Sequence, residues 1–307
     1  MKQNYLLKKA VSLIIVLFFA SIAIFLIIHL IPGNAADVMT AGSTLSEEQM
    51  NKLLSDMGID KPLIEQYLIW LGNVFHGNFG TSLYSNEAVT ALILPRFMAT
   101  LKLALISMLL AVGIGVPCGI VAAIKHNSFF DVIIMLLTII GISMPIFWLG
   151  LLLVMKFSIN LGWFPASGAD SWIGYILPAI TISLNIMANI ARMTRSSMLE
   201  VLGQDYMRTA EAKGMPYSCI IWKHGLKNAL IPIITVIGTQ FGYLMGGAVL
   251  TETVFVFPGI GKFLIDSISR RDYPSVQACM LLITLMFAVI NMLVDIAYHY
   301  ADPRVKA

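Results

Sequence analysis

Charge is what this chain has least of. Only 12% of its 307 residues are Asp, Glu, Lys or Arg and 58% are hydrophobic, whereas about one quarter of a typical soluble domain is charged. The apolar residues come in long runs, so the deficit excludes a soluble globular domain and indicates an integral membrane protein. The formal charge of +3 offers nothing to nucleic acid, because the lysines and arginines lie between the hydrophobic runs and form no basic face. Cysteine is almost absent. Cys118, Cys219 and Cys279 are far apart and no CxxC or Cys/His spacing occurs, which leaves neither a disulfide framework nor a zinc site. The histidines at 29, 76, 126, 224 and 299 are equally scattered. HExxH and GxSxG are missing, and no paired carboxylates at helical spacing are expected inside a cavity. The run Pro258-Gly259-Ile260-Gly261-Lys262-Phe263 fails as a phosphate loop, with Val256 where a glycine is needed and Phe263 where Ser or Thr is needed. The chain is therefore read as a non-enzyme with no bound cofactor or metal.

What is present is a set of six stretches long enough to cross a hydrocarbon core of about 30 Å. They are Ala10–Ile31, Thr100–Ile124, Val132–Met155, Ile173–Ala191, Ala229–Thr251 and Ala278–Tyr298. Backbone groups in lipid must pair within their own segment, so each is expected to be a helix and the fold class is an all-α membrane protein. The first apolar run follows Lys8 and Lys9 but exceeds a signal-peptide core in length, and is read as retained. With the N-terminus inside, twelve basic residues fall on inner segments and eight on outer ones, so both termini are expected to be cytoplasmic. The chain then divides into an inner terminus (1–9), a first span (10–31), an external helical segment (32–99), a five-helix core (100–299) holding a loop at 192–228, and an inner C-terminus (300–307).

The external segment carries two helix starts, at Ser46-Glu47-Glu48-Gln49 and at Lys61-Pro62-Leu63. Glycines crowd the second, third and fifth spans, where they allow close helix packing, and Pro145 permits a kink in the third. Few polar residues lie within the spans. Asn185, Asn189, Gln240 and Glu252 are the candidates for lining a solute path, with interhelical hydrogen bonding as the other reading of each.

The longest polar interval between hydrophobic spans of the second half runs from Gln204 to Pro232. It reads as two short helices broken at Gly214 and Pro216. The first, Asp205–Lys213, sets Ala210 and Gly214 one turn apart, a small-residue face that another surface could approach closely. The second, Tyr217–Ala229, mixes Ile220, Ile221, Trp222 and Leu226 with Lys223, His224 and Lys227, as a helix lying at a membrane interface would.

This loop resembles the "EAA" loop of binding-protein-dependent ABC importer permeases, in the dipeptide/oligopeptide/nickel branch. Asp205-Tyr206-Met207-Arg208-Thr209-Ala210-Glu211-Ala212-Lys213-Gly214 is similar to that branch's D-Y-x-R-T-A-x-A-K-G, and His224-Gly225-Leu226-Lys227-Asn228-Ala229 with Pro232 to its H-x-L-R-N-A-x-x-P. Gly58-Ile59-Asp60-Lys61-Pro62-Leu63, Glu252 to Gly261, Arg271-Asp272-Tyr273-Pro274 and Asp302-Pro303-Arg304 extend the likeness over nearly the whole chain. Three departures stand out. Arg208 replaces the glutamate of the wider pattern, Asn34-Ala35 replaces a common D-P, and Phe257 stands where tryptophan is frequent.

The resemblance implies a type I importer in a bacterial cytoplasmic membrane. This chain would pair with a second homologous permease, two ABC ATPase subunits would dock underneath, and an extracytoplasmic binding protein would deliver the solute. ATP and Mg²⁺ would be used by those partners alone. Asp205, Tyr206, Arg208, Ala210, Glu211, Lys213, Gly214 and His224 would form the ATPase-coupling loop. Gly162-Trp163-Phe164-Pro165 with Gly168-Ala169-Asp170-Ser171-Trp172 looks closest to glutathione and dipeptide permeases, and nickel permeases share the scaffold. An autonomous channel or secondary transporter is the competing class. It should show repeated spans with a mid-membrane acidic pair; no repeat is found, and the loop at 204–232 would be left without a purpose.

Overall fold

The computed structural model describes residues 2–30 and 61–301. Within them the regular secondary structure is helical, with an isolated bridge between Thr81 and Ala88 in place of any sheet. The helices are α1 (Lys2–Leu30), α2 (Leu63–Phe75), α3 (Val89–Ile124), α4 (Phe129–Ser143), α5 (Ile146–Leu153), α6 (Ile176–Leu202), α7 (Asp205–Ala212), α8 (Lys227–Val254), α9 (Ile260–Ser269) and α10 (Tyr273–Ala301). The helix start expected at Ser46 and the motifs at 34–35, 58–60 and 302–304 lie outside the described residues.

Among the described residues, five unbroken helical stretches are long and apolar enough to cross a membrane: Lys8–Ile27, Val89–Ile124, Trp172–Leu202, Tyr217–Leu244 and Tyr273–Ile296. The third expected span is not a straight helix. It is a pair, Phe129–Ser143 and Ile146–Asn160, bent by 102°. Pro145 has no N–H to give and its ring disfavours a helical residue before it. Met144 accordingly sits at φ −78°, ψ 125°, and α4 stops there. Beyond α5 the chain widens into a π-helical turn over Val154–Asn160. The second span also starts earlier than its apolar run suggests. α3 is 36 residues long, about 54 Å at 1.5 Å per residue, so residues 89–99 are continuous with that helix.

By contacts the chain separates into two compact units. One holds Met1–Thr100 with Pro258–Ala288. Its core joins Val89, Ile93, Ile260, Ala278 and Cys279, the cysteine acting as a small buried apolar group. Thr100 Oγ1 accepts the Ile260 N–H at 2.9 Å and so caps the first turn of α9. α2 opens after Pro62, as expected, and rests on α1 through Tyr67 and Trp70, whose rings lie 5.4 and 6.0 Å from that of Phe25. The buried Asp272 carboxylate accepts from Ser82 Oγ (2.5 Å), Leu83 N (3.0 Å) and Ser275 Oγ (2.7 Å), which pins the segment before α3 to the start of α10.

The other unit holds Leu101–Phe257 with Val289–Ala307. Here α6 is the central element. A Cβ at Gly115 would lie 2.9 Å from the Met187 carbonyl oxygen, and one at Gly119 would lie 2.5 Å from the Ala191 carbonyl oxygen and 2.6 Å from Thr194 Cβ. A Cβ at Gly141 of α4 would lie 3.3 Å from Ala188 Cβ, and one at Gly238 of α8 would clash with Val294 Cγ1 of α10 at 2.1 Å. Hydrophobic packing continues the seam, with Ile120, Ala123, Met198, Ile221, Ala229 and Ile233 in one buried cluster. Gly113 differs from its neighbours: nothing lies within 4 Å of an added methyl.

Two glycines of one helix therefore make opposite predictions. Gly119→Ala forces α3 from α6 and should destabilise the purified chain by about 1–3 kcal/mol. Gly113→Ala should be neutral or stabilising by up to about 1 kcal/mol. Thermal unfolding of the two variants in the same detergent checks the contrast; equal melting temperatures would remove the packing argument.

Candidate functional site

The polar loop is built by a sequence of stops. α6 ends at Leu202, and Gly203 and Gln204 are the residues between it and α7. Gln204 is extended (φ −78°, ψ 148°), and Asp205 puts a carboxylate in the first turn, where the helix dipole favours it. α7 runs for eight residues to Ala212, and Gly214, just beyond its C-cap Lys213, takes φ +73°. The Met215 N–H donates to the Ala210 carbonyl at 3.4 Å and the Gly214 N–H to the Glu211 carbonyl at 2.9 Å. This is a Schellman termination, and it needs the left-handed residue that glycine supplies at no steric cost. Met215 closes the motif by packing beside Ala210.

The expected small-residue face does not form. Ala210 is buried with Met207 and Ile220, against Val201, Leu202 and Met215, whereas a Cβ at Gly214 would meet open space. Ala210 is therefore an inward anchor, and Gly214 is a turn residue. The surface that α7 presents is polar. Asp205, Tyr206, Arg208, Glu211 and Lys213 are all exposed on it.

The second expected helix, at Tyr217–Ala229, is also not a separate interfacial element. A helical turn at Tyr217–Cys219 passes through a π-helical stretch, Ile220–Leu226, straight into α8. Ile220, Ile221 and Gly225 face inward while Trp222 and Lys223 stay exposed. Gly225 is absorbed because Met198 Cε would lie 3.3 Å from its Cβ. His224 is half-buried, with Nε2 enclosed and unpaired, and its carbonyl accepts from Asn228 Nδ2 at 2.8 Å. The same Asn228 amide donates to Tyr206 Oη at 3.2 Å, tying α7 to the root of α8.

The four polar span residues separate into two groups. Asn185 Nδ2 points at the break in the third span, donating long hydrogen bonds to the Gly141 (3.4 Å) and Ile142 (3.5 Å) carbonyls. Asn189 Nδ2 in turn donates to the Asn185 backbone oxygen at 3.0 Å and to its side-chain oxygen at 3.4 Å. Gln240 is half-buried on α8, and Glu252 is fully buried near the end of the same helix. The two are about 18 Å apart along it. The structure therefore brings Asn185 and Asn189 together at a helix break and places Glu252 inside packed protein. One charged pair near this loop is not evident from spacing: Arg195 reads as one more inner-side cation, yet it meets Asp131 on α4. Ser128-x-x-Asp131 ahead of an apolar run was the signal available for the α4 start.

Comparison with known proteins bears on this geometry. Residues 115–307 match the family described as "Binding-protein-dependent transport system inner membrane component", and residues 2–104 match that system's N-terminal membrane component. The chain is 43% identical over 303 residues to the glutathione transport system permease protein GsiC of Escherichia coli (strain K12), covering 99% of each. Identity to the protein of that name from Pectobacterium atrosepticum is 45% over the same length. Among solved structures, the inward-facing MetNI methionine ABC transporter aligns with a TM-score of 0.56 at 17% identity, covering 67% of this chain and 94% of that one. An amino acid ABC transporter aligns at 0.53 and 18%, covering 69% and 94%. At such identities the structural likeness speaks for the fold, that of a type I importer permease. With near-complete coverage by both family models and by its relatives, the chain belongs to the inner-membrane component family of binding-protein-dependent ABC transport systems.

Proposed function

We propose that the chain is the solute-conducting subunit of an ATP-driven importer for glutathione or similarly small peptides. It works with a second permease of the same kind, two ATPase subunits on the inner side and an extracytoplasmic binding protein. Both termini lie inside, in keeping with the excess of basic residues on that side. ATP and Mg²⁺ belong to the ATPase partners. The choice of solute rests on the full-length likeness to permeases named for glutathione transport.

The observation that carries the coupling role is the two-sided character of α7. Met207 and Ala210 anchor one side against Ile220. Asp205, Arg208, Glu211 and Lys213 are offered outward on the other. A partner groove can read those charges with charge-assisted hydrogen bonds that fix register. Closing of the ATPase pair on ATP then pushes or draws α7. Because α7 is joined to α6 through Gly203 and Gln204, and to α8 through the turn at Gly214–Pro216, that displacement reaches two spans at once.

In cells lacking this chain, uptake of labelled glutathione or of labelled dipeptides should fall to background while nickel uptake is unchanged. Loss of nickel uptake alone would transfer the assignment to metal import. A second expectation concerns Gly214. Gly214→Val puts a branched residue at φ +73°, at a cost of about 1–2 kcal/mol in the turn, and should abolish co-purification of the ATPase and uptake together. Gly214→Asn, which tolerates that conformation better, should retain most of both. Normal co-purification and uptake in the valine variant would count against α7 as the docking element.

A further inference from the structure

α4 is poorly held for a helix inside a membrane unit. Of its fifteen residues only Asp131 and Thr138 are buried. Phe129, Phe130, Val132, Leu136, Leu137, Ile139 and Ile140 are all exposed. The polar links that join it to α6 lie near its two ends.

At the first end, Asp131 is 3% exposed and receives a two-bond fork from Arg195. Arg195 Nε donates to Oδ1 at 2.6 Å and Nη2 to Oδ2 at 2.8 Å. The Asn127 N–H donates to Oδ2 at 3.0 Å, from a turn in which Asn127 takes φ +60°. His126 Nδ1 lies 3.2 Å from the same oxygen and 3.1 Å from Arg195 Nη2. At the other end, Asn185 reaches the Gly141 and Ile142 carbonyls, and Gly141 approaches Ala188 closely. Asp131 and Gly141 are ten residues apart, and so are Asn185 and Arg195. Both intervals span about 15 Å of helix, so the two antiparallel helices are bracketed at matching heights.

A buried ion pair is a weak source of stability, since apolar residues of like volume serve as well. A bidentate fork does something apolar packing does not. It fixes the rotation and axial register of one helix against another. α6 is also the helix that leads through Gly203 and Gln204 into α7, with Met198, Val201 and Leu202 packed into the loop. We propose that α4 and α6 move as one lever, and that Asp131 and Arg195 are the positioning pair through which displacement of α7 reaches the bend at Met144–Pro145. This rests on the importer reading given above and deepens it. The loop takes up the motion, and the paired helices deliver it to the one span that is already broken.

The test uses the complete transporter, with its ATPase subunits and binding protein, in lipid nanodiscs. Arg195→Lys keeps the charge but loses the planar fork, Asp131→Asn removes the charge, and the swap Asp131→Arg with Arg195→Asp restores the pair in reverse. Each single variant should keep ATPase co-purification, the unstimulated ATPase rate and the KM for ATP. Stimulation of ATPase by solute-loaded binding protein should fall by about tenfold or more, as for a buried charge pair losing one member. The swap should recover most of that stimulation. A merely structural pair would lower yield and melting temperature without changing the ratio of stimulated to unstimulated rate. Unchanged stimulation in both single variants, or a swap no better than either, overturns the lever. A wild-type chain that retains no ATPase overturns the importer reading instead.

Discussion

A hydrocarbon layer offers no hydrogen bonds, so every carbonyl that leaves a helix ladder there must find a donor in the protein. That constraint explains the least regular part of this chain. Pro145 removes the N–H that Gly141 would have used, and Met144 turns extended. Asn185 stands where an amide is needed, and Asn189 orients it. Polar residues in a span are readily taken for contacts to cargo. Here the first demand on Asn185 is made by the backbone of a neighbouring helix, and that on Asn189 by Asn185 itself.

The surrounding packing follows from where side chains are missing. Gly115, Gly119 and Gly141 let α3 and α4 approach α6 more closely than any side chain would allow. One helix therefore gathers its neighbours and then continues into the loop. Met198 is shared by this logic: it packs with Ile120 and Ile221 and fills the space left by Gly225. Span packing and loop packing are thus one continuous surface.

Much of this was legible in the sequence, and what was not has physical reasons. Six apolar stretches were enough for the all-α class, because lipid imposes helices on such runs. Helices outrun their apolar windows, as α3 does from Val89 and α8 does through the π-helical stretch before Lys227. The break at Pro145 was visible as a permitted kink, but its 102° angle depends on what the freed carbonyls can find. The loop residues were identified by type and spacing, yet Ala210 faced the opposite way from expectation. A small residue marks close approach without saying on which side. The Asp131–Arg195 pair could not be read, because the two are 64 residues apart and each looks like an ordinary boundary charge.

The way α7 is finished has a consequence for how a partner meets it. Its end is set by the Schellman turn at Gly214, its inner side by Met207 and Ala210, and its flank by the Asn228–Tyr206 hydrogen bond. The ordering entropy that a floppy loop would surrender on contact has been surrendered already, during folding of this chain. On the coupling role proposed above, a partner would meet a surface already shaped, and little of its binding free energy would go into ordering the helix.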